Sequence, residues 1–275
     1  MQETRDLAVV LRSVPFEERH RIVTALTENH GLVSALARNS VQSRRFGGTL
    51  EPFAASEWHF FQKPNTELVR LEQAHIRRAF EGLRTDFERL ALASLLSEIV
   101  LRVAPNIENS GDLFRVHSNA LAWLEESKPG ENELALLNGY ISKVLQWSGN
   151  QPQFSGCSGC QSPLESLPVN GSVLGVVADA GWICPSCRSQ GAGHARDRHQ
   201  HPPGQRFENT QLRVSTAAIR DFHMSLGMPI RQIPAAAQAS RAQHVELFKF
   251  LEALLVFHLP GFDQAAMKSL RFLSL

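Results

Sequence analysis

Two Cys-x-x-Cys pairs, Cys157-Ser158-Gly159-Cys160 and Cys184-Pro185-Ser186-Cys187, constrain this chain of 275 residues more than any other feature. Each pair presents two thiols from a tight turn. The 23 residues between Cys160 and Cys184 suffice for a hairpin or loop that brings the two turns together. Four thiolates suit one tetrahedral zinc ion at about 2.3 Å and leave no open position for water or substrate. The spacing therefore predicts one structural Zn2+ per chain. Gly159 and Gly181 stand where such turns need an unhindered backbone. A redox dithiol would sit at a strand-to-helix junction, and neither pair is expected at one. His194, His199 and His201 could supply a different ligand, but their tract has the composition of a solvated linker. Cysteines paired in this way fit a reducing compartment with a metal better than disulfides, so the expected location is the cytoplasm.

Ahead of the cysteines the hydrophobic period changes once. Up to about residue 75 the pattern is strand-like. Leu7, Val9 and Leu11 alternate with Asp6, Ala8 and Arg12, and further runs cover Arg19–Thr27, Leu32–Ala37, Ala54–Gln62 and Glu67–Ala74. Turns are expected at Glu28–Gly31 and at Lys63-Pro64-Asn65, with a basic, glycine-bearing link from Arg38 to Gly48. Five such strands suggest a small antiparallel barrel, of which the OB-fold is a common form; an SH3-like barrel would read almost the same. From residue 76 the period is helical. Helices are expected over Phe87–Val103, ending at Pro105, over Asp112–Glu126, and over Asn132–Trp147. After the cysteines, Ser189–Arg206 reads as a mobile loop, and helices follow at Ser215–Ser225 and Arg241–His258, the latter apolar almost all round and expected to be buried. No stretch approaches the roughly 20 apolar residues of a membrane span, and the N-terminus lacks the features of a signal peptide.

No sequence signature of catalysis is present: GxxxxGK[ST], GxGxxG before a helix, GxSxG and HExxH are all missing. The acid pairs Glu17-Glu18 and Glu125-Glu126 read as solvated charge, and His20, His75, His117, His223 and His258 are scattered singly. No catalytic residue is assigned. The formal net charge of +1 makes local distribution decide any electrostatic argument. Arg38, Arg44 and Arg45 cluster in the link after the third strand, Arg19 opens the second, Lys63 sits on a later turn, and Arg77-Arg78 follow the last strand. Single-strand binders combine a basic groove with aromatic stacking platforms. Phe46 and Phe61 are the candidates for exposure, while Trp58 and Phe60 share one strand parity and are expected in the core.

The order of these parts resembles the RecO family of DNA repair and recombination mediators. The residues that carry the resemblance are Thr4–Ser13, Arg44-Arg45-Phe46-Gly47-Gly48-Thr49-Leu50-Glu51-Pro52-Phe53 and Leu83-Arg84-Thr85-Asp86, with the cysteine pairs, Gly181-Trp182-Ile183, and Met267–Leu273. The resemblance implies an α+β protein: a five-stranded OB-fold nucleic-acid-binding domain over 1–78, an α-helical domain over 79–149 and 207–275, and an inserted four-cysteine zinc knuckle with its loop over 150–206. It implies a non-enzymatic, nucleoid-associated protein that binds single- and double-stranded DNA and anneals complementary strands. With RecR such a protein helps RecA displace single-strand-binding protein, whose tail is a further partner. Arg19, Arg38, Arg44, Arg45 and Lys63 are the expected DNA contacts and Cys157, Cys160, Cys184 and Cys187 the zinc ligands. The alternative is a zinc-stapled protein-interaction scaffold without direct DNA binding. The Ser189–Arg206 loop is a departure, richer in Gly, His and Arg than the resemblance leads one to expect.

Overall fold

A computed structural model describes residues 2–41, 43, 45–62, 66–128, 130–190, 211–262 and 265–273. The turn expected at Lys63-Pro64-Asn65, most of the expected loop and its three histidines lie outside these residues. The chain divides into two compact units, Met1–Ser127 with Met267–Ser274, and Lys128–Ala266.

The first unit is built on five strands: β1 (Gln2–Phe16), β2 (His20–Thr27), β3 (Gly31–Ala37), β4 (Ala55–Gln62) and β5 (Leu68–Arg78). They close into a barrel in the order β1-β2-β3-β5-β4, with β3 and β5 parallel and every other pair antiparallel. This OB-like order decides between the two barrels left open by periodicity. Alternation explains which residues enter the core: Ser56, Trp58 and Phe60 of β4 are buried while Glu57, His59 and Phe61 lie on the other face. Trp58 and Phe60 pack with Val10, Val23, Ala35 and Leu71 as expected. β1 is long enough to pair with both β2 and β4, and a bulge between Val10 and Arg12 bends it between them. At the β2–β3 turn the buried Asp6 carboxylate accepts from the Asn29 amide at 3.0 Å and lies 2.6 Å from His30 Nδ1.

Two helices complete this unit, α1 (Phe87–Val103) and α2 (Ser110–Glu126). Asp86 caps α1 by accepting from the Arg89 amide at 2.9 Å, and Asn109 caps α2 through the Asp112 amide. Arg78 of β5 donates to Glu125 of α2 through Nε at 2.8 Å and Nη2 at 2.6 Å, which ties the helices to the barrel. The C-terminal turn Lys268–Phe272 returns to α1, where Glu98 accepts from the amides of Lys268 and Ser269 at 2.9 and 3.0 Å. Burial acts to raise the Glu98 pKa, but those amides and Arg102 outweigh it and hold the carboxyl below its ordinary value.

The second unit holds α3 (Glu133–Trp147), β6 (Ser172–Val176), β7 (Gly181–Ile183), α4 (Pro185–Ser189), β8 (Gln211–Ser215), α5 (Thr216–Gly227), α6 (Ile233–Ala236) and α7 (Arg241–His258). Its sheet runs β7-β6-β8, all antiparallel. The helix buried on all sides is α3, inaccessible from Glu133 through Leu145, and not α7 as its composition suggests. α7 buries Leu247, Phe248, Leu251 and Leu255 but exposes Arg241 and Lys249. The last-helix apolar residues therefore belong to one stripe of the core. No helix among the described residues is long and apolar enough to cross a membrane.

His117 of α2 is fully buried, and burial lowers its pKa to about 3. The unfolded-state value is about 6.5, so between these limits only the unfolded chain binds the proton, and stability is lost as pH falls below 6.5. Taking the protein from pH 7 to pH 5 should cost about 2 kcal/mol through this one group. Urea unfolding of wild type and His117→Leu at both pH values checks this: the variant should lose about 2 kcal/mol less on acidification, and an equal loss would contradict it.

Candidate metal centre and basic barrel rim

The first cysteine pair stands in a turn closed by the Cys157 amide on Ser162 O at 2.9 Å and the Gln161 amide on Cys157 O at 2.8 Å. The second lies between β7 and α4, with Cys184 as the N-cap of α4. That is a strand-to-helix junction, so the expectation that neither pair occupies one is corrected. The argument against a redox dithiol then rests on the quartet itself. Its four sulfur atoms lie within 4.8 Å of one another, with Cys157, Cys184 and Cys187 buried and Cys160 exposed. The hairpin β6–β7 joins the turns, and the Ser158 amide donates to Trp182 O at 2.8 Å to lock one against the other. Gly181 permits this approach, since a Cβ there would come within 2.5 Å of Ser158 Oγ. Trp182 anchors the assembly inward, donating from Nε1 to Phe154 O at 2.9 Å, while Phe154 packs on Phe222 and Phe250.

The donor chemistry fits a thiophilic metal ion. Four sulfurs at about 2.3 Å from a tetrahedral centre stand about 3.8 Å apart, and Cys160 and Cys184 are separated by 3.8 Å. Backbone amides point at the sulfurs: Cys184 N to Cys157 Sγ at 3.2 Å, with Gly159 N to Cys157 Sγ and Cys187 N to Cys184 Sγ at 3.4 Å. Such donors favour thiolate over thiol. Ser162, through its hydroxyl and amide, lowers the Cys160 thiol to about 6, whereas contact with the Cys160 and Cys184 sulfurs pushes Cys187 up to about 12. One proton leaves easily and the last is held, as expected of clustered thiols whose charge only a cation offsets. Ser162 and Trp182 were not distinguished by sequence as supports; the apolar Gly181-Trp182-Ile183 run was the available signal.

The second feature is one end of the barrel. Arg19 lies in the β1–β2 turn and Arg38 directly after β3, and the Val41 amide donates to Arg19 O at 3.3 Å. His20 Nδ1 accepts from the Asn39 amide at 2.9 Å and adds a second tie. Arg45 Nη2 donates to Arg38 O at 3.1 Å, and its guanidinium lies 4.7 Å over the Phe46 ring and 3.6 Å from Glu72. Three of the expected basic residues thus share a rim, all exposed, and among the described residues Arg19 and Arg38 make no ion pair. Arg44 and Lys63 lie outside the described residues. Gln62, which precedes Lys63, pairs with Gln2 at the start of β1, whereas Arg19 follows its end. Arg77 and Arg78 are engaged with Glu57 and with Glu125 and Glu126. Phe46 is corrected from a platform to a plug, 1 % exposed within the barrel core. Phe61 is half-buried on the outer face of β4 beside His59.

Residues 1–80 match the family model described as Recombination protein O N terminal, and residues 84–223 match Recombination protein O C terminal. Among curated relatives, DNA repair protein RecO of Anaeromyxobacter sp. (strain K) is 30% identical over 188 residues, 68% of this chain and 71% of its own. DNA repair protein RecO of Pelobacter propionicus is 32% identical over 194 residues, 70% of this chain and 74% of its own.

For the thiol quartet, protein kept reduced should carry one divalent ion per chain by elemental analysis. Removing the ion with a chelator, or Cys184→Ser, should lower the unfolding temperature of the second unit by roughly 10 °C, because metal-binding energy in so small a substructure is folding energy. Metal-free reduced protein with unchanged melting would contradict the site.

Proposed function

This chain belongs to the RecO family of DNA repair proteins, and from that membership we propose that it acts as a DNA-binding recombination mediator. In this reading it binds single- and double-stranded DNA and anneals complementary strands. With RecR it promotes RecA loading onto strands coated by single-strand-binding protein, whose tail is a further partner, and its place is the nucleoid. The role is binding and positioning, with no catalytic residue. Zinc is the proposed ion at Cys157, Cys160, Cys184 and Cys187, because a closed set of four thiolates suits a structural zinc and offers no site for a substrate.

The observation that carries the reading is the convergence of Arg19, Arg38 and Arg45 on one rim of an OB-like barrel. Guanidinium groups there can neutralise successive phosphates, with Arg44 of the same link and Lys63 as further contacts. Phosphate contacts of this kind position a strand without reading its sequence. Each contact releases condensed counterions and adds about 0.7 to the salt slope of single-strand binding.

The test is the double variant Arg19→Ala plus Arg38→Ala, measured by fluorescence anisotropy on a labelled single strand across a salt series. Two lost contacts should reduce the slope by about 1.4, weaken binding about 25-fold at 0.1 M salt, and slow annealing. Metal content should be unchanged. Unaltered affinity and slope would place the DNA elsewhere, and an absence of salt-dependent binding in wild type would favour a protein-interaction scaffold.

A further inference from the structure

The cysteine-bearing unit has a cationic groove that the rim does not explain. One face of the sheet β7-β6-β8 lies against α7: a Cβ on Gly175 would come within 2.8 Å of the Phe250 ring. The opposite face carries Ser172 and Leu174, both half-buried. Leu174 stands in register between Ile183 of β7 and Arg213 of β8. Beyond Ile183 the chain turns at Cys184 into α4, so that Pro185 and Arg188 rise beside the same face. Together these residues line a groove of about 530 Å³.

Its chemistry is one-sided. Among the described residues the lining contains two guanidinium groups and two serine hydroxyls but no carboxylate. Arg188 and Arg213 are both exposed, and among the described residues neither makes an ion pair. Arg220 in the same unit differs, since its guanidinium is spent on the carbonyls of Leu164 and Leu167 at 3.3 and 2.7 Å. Two arginines facing an apolar floor, with no countercharge among the described residues, are complementary to a polyanion. Among the described residues no aromatic ring lines the groove for base stacking, and the matching part of a nucleic acid is its backbone.

We infer that this groove is a second binding surface for the phosphodiester backbone of DNA, with Arg213 placed by β8 and Arg188 placed by the metal knuckle through Cys184 and Cys187. The inference rests on the DNA-binding reading above, and it gives the thiol cluster a role beyond stability. α4 is only five residues long, starts directly after Cys184 and carries Cys187 one residue before Arg188. An isolated helix of that length does not persist in water, so the position of Arg188 depends on the cysteines being held.

The experiment compares the full chain, metal-loaded, with Arg188→Ala plus Arg213→Ala, with Arg188→Lys plus Arg213→Lys, and with the rim variant Arg19→Ala plus Arg38→Ala. Salt-dependent anisotropy on a labelled single strand is the readout, with metal content and circular dichroism as folding controls. The alanine pair should lose about 1.4 from the salt slope and bind about 25-fold more weakly at 0.1 M salt. The lysine pair should retain the slope, since point charges suffice for counterion release. Chelating the metal should reduce the slope in wild type and have a smaller effect in the alanine pair. A groove variant with wild-type slope beside a rim variant that has lost its own would overturn this inference and leave the DNA-binding reading standing. A wild type without salt-dependent binding would overturn both. Two further probes guard the assignment: a fluorescent poly-glutamate peptide and inorganic tripolyphosphate. If the alanine pair loses either ligand while keeping DNA, the groove belongs to an acidic peptide or a small phosphate compound, and the inference fails.

Discussion

The parallel pairing of β3 with β5 is the constraint on which the first unit depends. A parallel neighbour cannot be reached by a hairpin, so the chain leaving β3 must cross the end of the barrel before it enters β4. Residues 38–54 make that crossing, and they fill the barrel end as they go. Phe46 and Leu50 join the barrel core, and Phe53 is buried beside them, with its amide on Val10 O at 2.7 Å. Burial of three such side chains contributes on the order of 5 kcal/mol, enough to decide whether the end closes. Because Phe46, Leu50 and Phe53 turn inward, Arg38 and Arg45 are left facing outward. Arg38 and Arg45 lie on the rim as a consequence of the strand order, and Arg21 pairing with Glu51 at 2.9 Å fastens the link to β2.

In the second unit the corresponding constraint is smallness. β7 has three residues and α4 five, too few to bury an independent core. Two devices hold them. Trp182 and Phe154 drive an aromatic wedge against Phe222 and Phe250 on the helical side. On the other side the four sulfurs draw the two turns together, with amides aimed at the sulfur atoms as they would be for thiolate ligands. A metal ion here replaces the hydrophobic area that so few residues cannot supply.

Period and spacing made the strands, most helices and the thiol quartet legible, because each has a strictly local cause. Alternation placed Trp58 and Phe60 inside, and the apolar stripes of Phe87–Val103 and Asp112–Glu126 marked α1 and α2. What escaped is what depends on contacts distant in sequence. Phe46 in a basic, glycine-bearing link looks exposed until the strand order turns that link into a plug. β8 is not among the expected elements, since its pairing partner Ser172–Val176 is far behind it in sequence. α7 reads as a helix apolar almost all round, yet it is α3 that is buried on every side, with its Lys143 and Asn138 held through specific hydrogen bonds. The rim was half legible: sequence supplied the arginines, but the ties of Val41 to Arg19 and of Asn39 to His20, which join the two turns, are contacts distant in sequence.

Several ionisable groups whose pKa values burial shifts lie in packed interior, not in clefts. Burial lowers the Lys143 ammonium pKa, and its donors go to the carbonyls of Ser225 and Leu226 at 3.1 and 3.4 Å, where α5 ends and its carbonyls lack helical partners. Burial lowers His244 as well, against the pull of Asp221 at 3.4 Å, and Asp221 is occupied by the amides of Gln238 and Ala239. Lys143 completes the hydrogen bonding of a helix end and Asp221 that of the link before α7, while His244 packs against Asn138. A catalytic acid or base needs its shifted pKa where a reacting atom can arrive. The surface presents the opposite kind of group: arginines on the rim and in the groove, which keep their charge at every physiological pH. Permanent cations of this sort respond to salt through counterion release and hardly at all to pH. Affinity for a polyanion set by Arg19, Arg38, Arg188 and Arg213 should therefore follow ionic strength across neutral pH, while acid acts on the packing of the first unit through His117.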